Sequence, residues 1–234
     1  MRVISKETIN KSIEKPEDTL ILIDKPAEWT SFDVVKKIRN AGKFKKVGHA
    51  GTLDPFATGL LILGTGKMTR QLTNLVNEKK SYRTKFTFGK ITDTYDKTGK
   101  ILEDKQISVI DAKKIAEILT KFLGISEQIP PMYSAKKING VRAYKLARRG
   151  EKISRKPHKI IIHEIKINGI EGLDLNLDVT CSKGTYIRSL AYDLGIQTGY
   201  GAYVKELRRI SINGYSVYNA LQIEEFIEYW MSRN

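Results

Sequence analysis

The sequence predicts a mixed α/β (α+β) fold, because segments of strand period and of helix period alternate along the chain. The run Leu20-Ile21-Leu22-Ile23 is apolar throughout and ends at Asp24-Lys25-Pro26, as a buried strand does. Tyr82 to Phe88 and Leu173 to Cys181 alternate instead, the signature of half-buried strands. Phe32 to Arg39 and Ile187 to Leu194 carry apolar residues at helical spacing.

Residues 1–18 are polar and mixed, a lead-in to the first strand. Thr30-Ser31 supplies an N-cap signal for the helix that follows, and Gly42 is its expected stop. In the strand from Tyr82, the residues Tyr82, Thr84, Phe86 and Phe88 share one face. In the second alternating strand Leu173, Leu175, Leu177, Val179 and Cys181 share one face, before Ser182-Lys183-Gly184 turns the chain. Ile187, Leu190, Ala191 and Leu194 then form a helical stripe with Gly195 as the expected stop, and a last helix is expected over Ile223 to Met231. There is no internal repeat and no low-complexity linker. The expected organisation is therefore one catalytic domain over residues 1–234, interrupted by a basic insertion at about 127–159.

Charge narrows the function classes. The chain has 41 Lys and Arg against 26 Asp and Glu, a formal net charge of +15, which calls for a polyanionic partner. No apolar run approaches the ~20 residues that span a bilayer, so nucleic acid is expected rather than membrane. The N-terminus lacks the apolar core of a secretory signal, which predicts a cytoplasmic protein. One cysteine, Cys181, permits no internal disulfide, and with His49, His158 and His163 it makes a poor metal-ligand set. Within the insertion, Ser134 to Lys159 holds ten Lys or Arg, among them Lys136, Lys137, Arg142, Lys145, Arg148 and Arg149, against the single acid Glu151. Tyr133 and Tyr144 are interleaved. Cations for phosphates and rings for bases fit RNA, and the whole-chain charge favours that over a merely solvated loop.

The densest unusual stretch is Lys46-Val47-Gly48-His49-Ala50-Gly51-Thr52-Leu53-Asp54-Pro55-Phe56-Ala57-Thr58-Gly59, in which Asp54 is the only acid between Asp33 and Glu78. Pro55 biases Asp54 away from helical backbone, so its carboxylate is presented from a turn or extended segment. Asp followed by Pro is equally the mark of a helix N-cap with proline at the first helical position, and the pattern fits both readings. Leu63-Gly64-Thr65-Gly66-Lys67-Met68 resembles a phosphate loop in composition only. The required earlier glycine falls on Leu61 and the required hydroxyl on Met68, which excludes ATP binding by that motif. With no carboxylate pair, nucleophile triad or metal motif, Asp54 is the leading candidate for chemistry.

Gly48 to Leu61 resembles the catalytic motif of the TruB-type pseudouridine synthases. Further matches are Asp24-Lys25-Pro26 with Thr30-Ser31, Tyr82, Pro130-Pro131-Met132-Tyr133-Ser134-Ala135-Lys136-Lys137, Cys181 to Leu190, and Gly201-Ala202 through Leu207-Arg208-Arg209, so the resemblance covers about residues 20–215. It implies a bent mixed β-sheet flanked by helices, with the basic insertion gripping the T arm of tRNA. It implies an isomerase that breaks the N1–C1′ bond of the uridine at position 55, turns the base and rejoins it through C5. No cofactor is needed and tRNA is the expected partner, with no obligatory protein partner and a monomer expected. Asp54 is implied as the catalytic carboxylate, acting at C1′, at C6 or through a glycal. Arg188 is its implied ion-pair partner, against the alternative of a surface arginine in a helix's first turn. Tyr82 would stack on the uracil, Leu207 close the apolar side, and His49 contact RNA beside the flipped base. Lys25, Gly51 and Leu53 would line the substrate site.

Two departures stand out. Family members usually have glycine where this chain has Glu28, and many end in a small RNA-binding PUA domain, whereas this sequence stops at Asn234. The catalytic domain is accordingly expected to bind tRNA alone. A guide-RNA-dependent catalytic subunit and a non-catalytic RNA-binding or tRNA-folding module are the alternatives.

Overall fold

The computed structural model describes every residue except 1, 10–16, 135, 136, 139, 143–145, 148, 150–153, 233 and 234, and of residues 137, 138 and 142 the backbone alone. The elements begin with β1 (Val3–Ile4), β2 (Leu20–Lys25), α1 (Ser31–Gly42), β3 (Val47–His49), β4 (Thr58–Thr65), α2 (Leu72–Asn77) and β5 (Lys80–Phe88). Next come β6 (Lys90–Thr92), β7 (Ile101–Asp104), α3 (Ala112–Lys121), β8 (Gly124–Gln128), β9 (Lys137–Ile138) and β10 (Val141–Arg142). The last are β11 (His158–Glu171), β12 (Asp174–Cys181), α4 (Ile187–Thr198), β13 (Ala202–Ile212), β14 (Tyr215–Ser216) and α5 (Ile223–Met231). Two units emerge, one of Met1–Tyr82 with Leu207–Asn234 and the other of Arg83–Glu206, and β5 and β13 each run through the boundary. The fold class is mixed α/β, as expected. No helix among the described residues is long and apolar enough to cross a membrane.

In the first unit β2 pairs antiparallel with β4 and parallel with β1, while β4 runs parallel to β13, so the sheet is mixed. Alternation along β2 and β4 feeds two cores. Ile21, Ile23, Leu61 and Leu63 pack with Val34, Val35 and Ile38 of α1 and with Phe226 and Trp230 of α5. Leu20, Leu22, Leu60 and Ile62 pack with Leu72 and Leu75 of α2. Both faces are covered, which is why these strands read as unbroken apolar runs rather than as alternation. Thr30 caps α1 through a reciprocal capping box with Asp33. The helix ends one residue later than expected. Lys43, not Gly42, takes the left-handed conformation (φ 53°), and Gly42 is needed instead because a Cβ there would overlap the Phe44 ring.

The loop after β2 carries the departure noted above. Glu28 is exposed and sits at φ 64°, a region glycine enters freely and other residues enter at a cost of about 1–2 kcal/mol. The loop keeps a glycine-like shape with strain in it. Glu28→Gly is therefore expected to stabilise the protein by about 0.5–1 kcal/mol after the extra freedom of the unfolded chain is subtracted. Thermal unfolding checks this: the expected result is a Tm higher by a few degrees, and an unchanged or lower Tm contradicts it.

In the second unit β5, β12, β11 and β8 lie in that order, with the first part of β13 on the other side of β5. Phe86 and Phe88 of β5 and Leu175, Leu177, Val179 and Cys181 of β12 are buried, the faces that alternation predicts. Helices α3 and α4 pack together. α4 continues past Gly195 to Thr198 and is closed by Gly199 at φ 78°. Gly195 is a packing position, since any Cβ there would meet the backbone of Gly201 and Ala202. On α4 the Asp193 carboxyl is pushed up to about 6 by burial. Its folded pKa exceeds the ordinary value, so as pH rises through roughly 4 to 6 the folded state loses stability by having to ionise a desolvated group. Asp193→Asn is expected to stabilise the protein at pH 8 by about 1–2 kcal/mol, discounted for its remaining solvent contact, and to gain nothing near pH 4. Chemical denaturation of both proteins at the two pH values checks the sign.

Candidate active site

β3 ends at His49, and the chain reaches β4 through residues 50–57. That connection is anchored at nearly every step. Ala50 N–H donates to Ile62 O (2.9 Å), and the Gly51 carbonyl accepts from the Arg209 guanidinium (3.1 Å). Leu53 N–H donates to Ser31 Oγ at 2.9 Å, and Ser31 Oγ donates back to Leu53 O at 3.3 Å. Pro55 O accepts from Lys25 Nζ at 3.1 Å. Ala57 N–H closes on Asp54 O at 3.1 Å, so Asp54-Pro55-Phe56-Ala57 is a turn and no helix begins there. The N-cap reading of Asp54 is excluded. Leu53, Phe56 and Ala57 are buried, and the half-buried side chain between them belongs to Asp54. Gly51 is at φ 83°, where a side chain would have room but the backbone shape demands glycine.

Two buried cations underlie the loop. Lys25 has no exposed surface, and Nζ donates to the carbonyls of Pro26 (2.7 Å), Trp29 (2.6 Å) and Pro55 (3.1 Å). Burial lowers its pKa to about 8, partly opposed by the Asp54 and Glu28 charges. All three ammonium protons are committed to backbone, so Lys25 shapes the loop from below and presents no donor to a substrate. Arg209 is 1% exposed. Its Nε donates to Leu60 O (2.7 Å), its Nη2 to Gly51 O (3.1 Å), and it also bonds the Tyr82 side chain. One guanidinium thus joins β4, the loop and β5. Gly59, at φ 104°, lies so close to the Arg209 backbone that a Cβ could not fit.

Tyr82 and Leu207 are 9% and 8% exposed, and Leu207 shares the Arg209 face of β13. The intervening Arg208 grips Asp24 through two bonds of 2.9 and 2.6 Å. His49 is half-buried. Its pKa is lowered by burial first and by the Arg209 charge second, which leaves a neutral ring at physiological pH, and its Nδ1 has no hydrogen-bond partner among the described residues.

Arg188 lies in the second unit, in the first turn of α4, and is 3% exposed, which rules out a surface arginine. It donates to Thr94 O (3.0 Å) and Tyr133 O (2.9 Å) and pairs with Asp96 at 3.5 Å. Asp96 is itself buried and accepts from Thr94 Oγ1 (2.8 Å), Thr98 Oγ1 (2.5 Å) and Thr98 N (2.9 Å). Sequence reasoning misses this anchor, whose only trace is the alternation of hydroxyl and carboxylate in Thr94-Tyr95-Asp96-Lys97-Thr98. Of the expected RNA-contacting cations, Lys136, Lys145 and Arg148 lie outside the described residues, as does Tyr144. Lys137 and Arg142 are backbone partners in the register of the β9–β10 pair, and Arg149 is exposed. Arg155 of the same basic run is structural in part, donating to Pro130 O at 2.8 Å.

Residues 39–187 match the model of the TruB family pseudouridylate synthase N-terminal domain. A tRNA pseudouridine synthase B of Syntrophotalea carbinolica is 43% identical over 88% of this chain and 67% of its own length. One from Aquifex aeolicus is 43% identical over 90% of this chain and 74% of its own. Among solved structures, a Cbf5–Nop10–Gar1 complex superposes with a TM-score of 0.73 at 27% identity over 95% of this chain, and an H/ACA ribonucleoprotein bound to a substrate RNA gives 0.68 at 25% over 92%. The chain spans a little over half of those solved chains, 56% and 53%.

Proposed function

The chain belongs to the TruB family of pseudouridylate synthases, and we propose that it converts the uridine at position 55, in the T loop of tRNA, to pseudouridine with the Asp54 carboxylate as the catalytic group. The reaction is an isomerisation. The N1–C1′ bond breaks, a C5–C1′ bond forms, the proton leaves C5 and N1 gains one, with no net oxidation. One observation carries the reading: the backbone on either side of Asp54 is tied down while Asp54 itself is only half-buried, the preorganisation expected of a residue that must meet a reacting atom.

The other assignments follow from chemistry. Tyr82 gives a rigid ring for stacking on uracil, its hydroxyl held by Arg209, and Leu207 offers an apolar wall. The half-buried, neutral ring of His49 suits a contact with RNA beside the vacated stack. Arg188, as the cation proposed for the carboxylate, must be fixed in place, and its bonds to Asp96, Thr94 and Tyr133 fix it. Lys25 and Gly51 position the loop that carries Asp54. tRNA is the only partner this reading requires, and a cytoplasmic location goes with it.

A T-loop target predicts that an isolated T-arm hairpin is modified nearly as well as whole tRNA, because RNA is read through splayed loop bases and a free hairpin has no elbow contacts to break. The test compares kcat/KM for unmodified tRNA, the hairpin and a scrambled-loop hairpin at one salt concentration. Comparable values for the first two with an inert third are expected. An inert authentic hairpin, or an equally reactive scrambled one, contradicts the reading.

A further inference from the structure

We infer that α1 and the turn after it form a second RNA-backbone contact, in the first unit and separate from the basic insertion; this rests on the proposed action on tRNA. Between positions 36 and 46 the chain holds six cations, Lys36, Lys37, Arg39, Lys43, Lys45 and Lys46, and no acid. All six are exposed, and among the described residues none has a carboxylate within ion-pair distance. Such a set repels itself and gains nothing from folding. The burial of α1 explains the geometry: Val34, Val35 and Ile38 face the core, so Phe32, Lys36, Arg39 and Lys43 fall on the opposite, solvent side. From Phe32 to Lys43 that stripe is about 16 Å long at 1.5 Å per residue.

Phe32 begins the stripe and is 65% exposed, an apolar residue outside the core. Beyond Lys43 the stripe borders a cavity lined by Lys43, Phe44, Lys45, Lys46 and Trp230. Glu17 and Asp18 also line it, but the Asp18 carboxylate is engaged by Lys67, whose N–H it accepts at 2.7 Å. Cations interleaved with rings suit phosphates and bases together. The link to the reaction is structural. Ser31, at the head of α1, is bonded to Leu53 beside Asp54, and Lys46, at the end of the run, leads directly into β3 and His49. RNA held on this stripe is therefore registered against the catalytic loop at both ends, through Ser31 at the head of α1 and through Lys46 in the segment that follows it.

The test measures Kd for unmodified tRNA over a salt series, with unfolding checked for each variant. For Lys36→Gln/Arg39→Gln/Lys43→Gln the log–log salt slope should fall by roughly 0.7 to 0.9 for each phosphate that the variant no longer neutralises, giving at least a roughly tenfold weaker Kd at low salt. Saturating kcat should be unchanged and kcat/KM should fall in step with affinity. Phe32→Ala should weaken binding with the slope intact, because stacking is uncharged. Lys113→Gln/Lys121→Gln on α3 is the control for net charge. A triple variant with wild-type slope and affinity, or one no weaker than the α3 control per charge, overturns the proposal, as does wild-type affinity in Phe32→Ala for the stacking role. Wild-type turnover on the same tRNA separates the two readings: slope changes without any pseudouridine formed would leave the RNA contact standing and remove the enzymatic reading.

Discussion

Asp54→Asn is expected to lower kcat by at least about 10⁴-fold while leaving the fold and tRNA affinity near wild type. The substitution is nearly isosteric, and the loop is held by backbone groups the side chain does not supply: the Asp54 carbonyl to Ala57, the Leu53 amide to Ser31, and the Pro55 carbonyl to Lys25. Only the negative charge is removed, and an amide can serve neither as nucleophile nor as base. The charge also acts on Lys25, whose pKa the Asp54 carboxylate holds up against burial. In the variant the Lys25 pKa should fall further, a shift NMR titration of a labelled lysine can read. Single-turnover kinetics check the main effect, and substantial turnover by the variant contradicts it.

Arg209→Met is expected to cost both stability and rate. Methionine fills much of the volume but leaves the carbonyls of Leu60 and Gly51 and the Tyr82 hydroxyl without their shared donor. Buried acceptors left unsatisfied cost about 1–3 kcal/mol each, partly offset because a desolvated guanidinium is removed, so a net loss of about 2–4 kcal/mol is expected. For a chain of this size that lowers Tm by roughly 5–15 °C. At a temperature where the variant is folded, kcat should still fall about 10²-fold with KM little changed, since Gly51 and Tyr82 both lose their registration. Arg209→Lys, which keeps the charge but not the fork, should recover part of the stability and little of kcat. The His49 pKa should rise in Arg209→Met, because the Arg209 charge is one cause of its lowering. An Arg209→Met protein with wild-type kcat removes the positioning role.

Much of this is legible in the sequence where the signal is local. The apolar run of β2, the alternation of β5 and β12 and the stripes of α1 and α4 follow from short-range periodicity, and Asp54 stands out as a lone acid before a proline. What stays hidden depends on partners far along the chain. Arg209 meets Gly51 across 158 positions and Arg188 meets Thr94 across 94, and no local pattern distinguishes a buried guanidinium from an exposed one. Lys25 reads as part of the substrate site for the same reason: its position is visible, but not that its ammonium turns inward onto three carbonyls. Both misplaced helix stops have one cause. Gly42 and Gly195 are small because a neighbour packs against them, while the left-handed positions belong to Lys43 and Gly199.

The most direct measurement is a residue-by-residue map of pseudouridine in unmodified tRNA after incubation with the purified wild-type protein. Near-complete conversion at a single position, uridine 55, and no other pseudouridine is the expected result. An unconverted uridine 55, or conversion at some other position in its place, contradicts it.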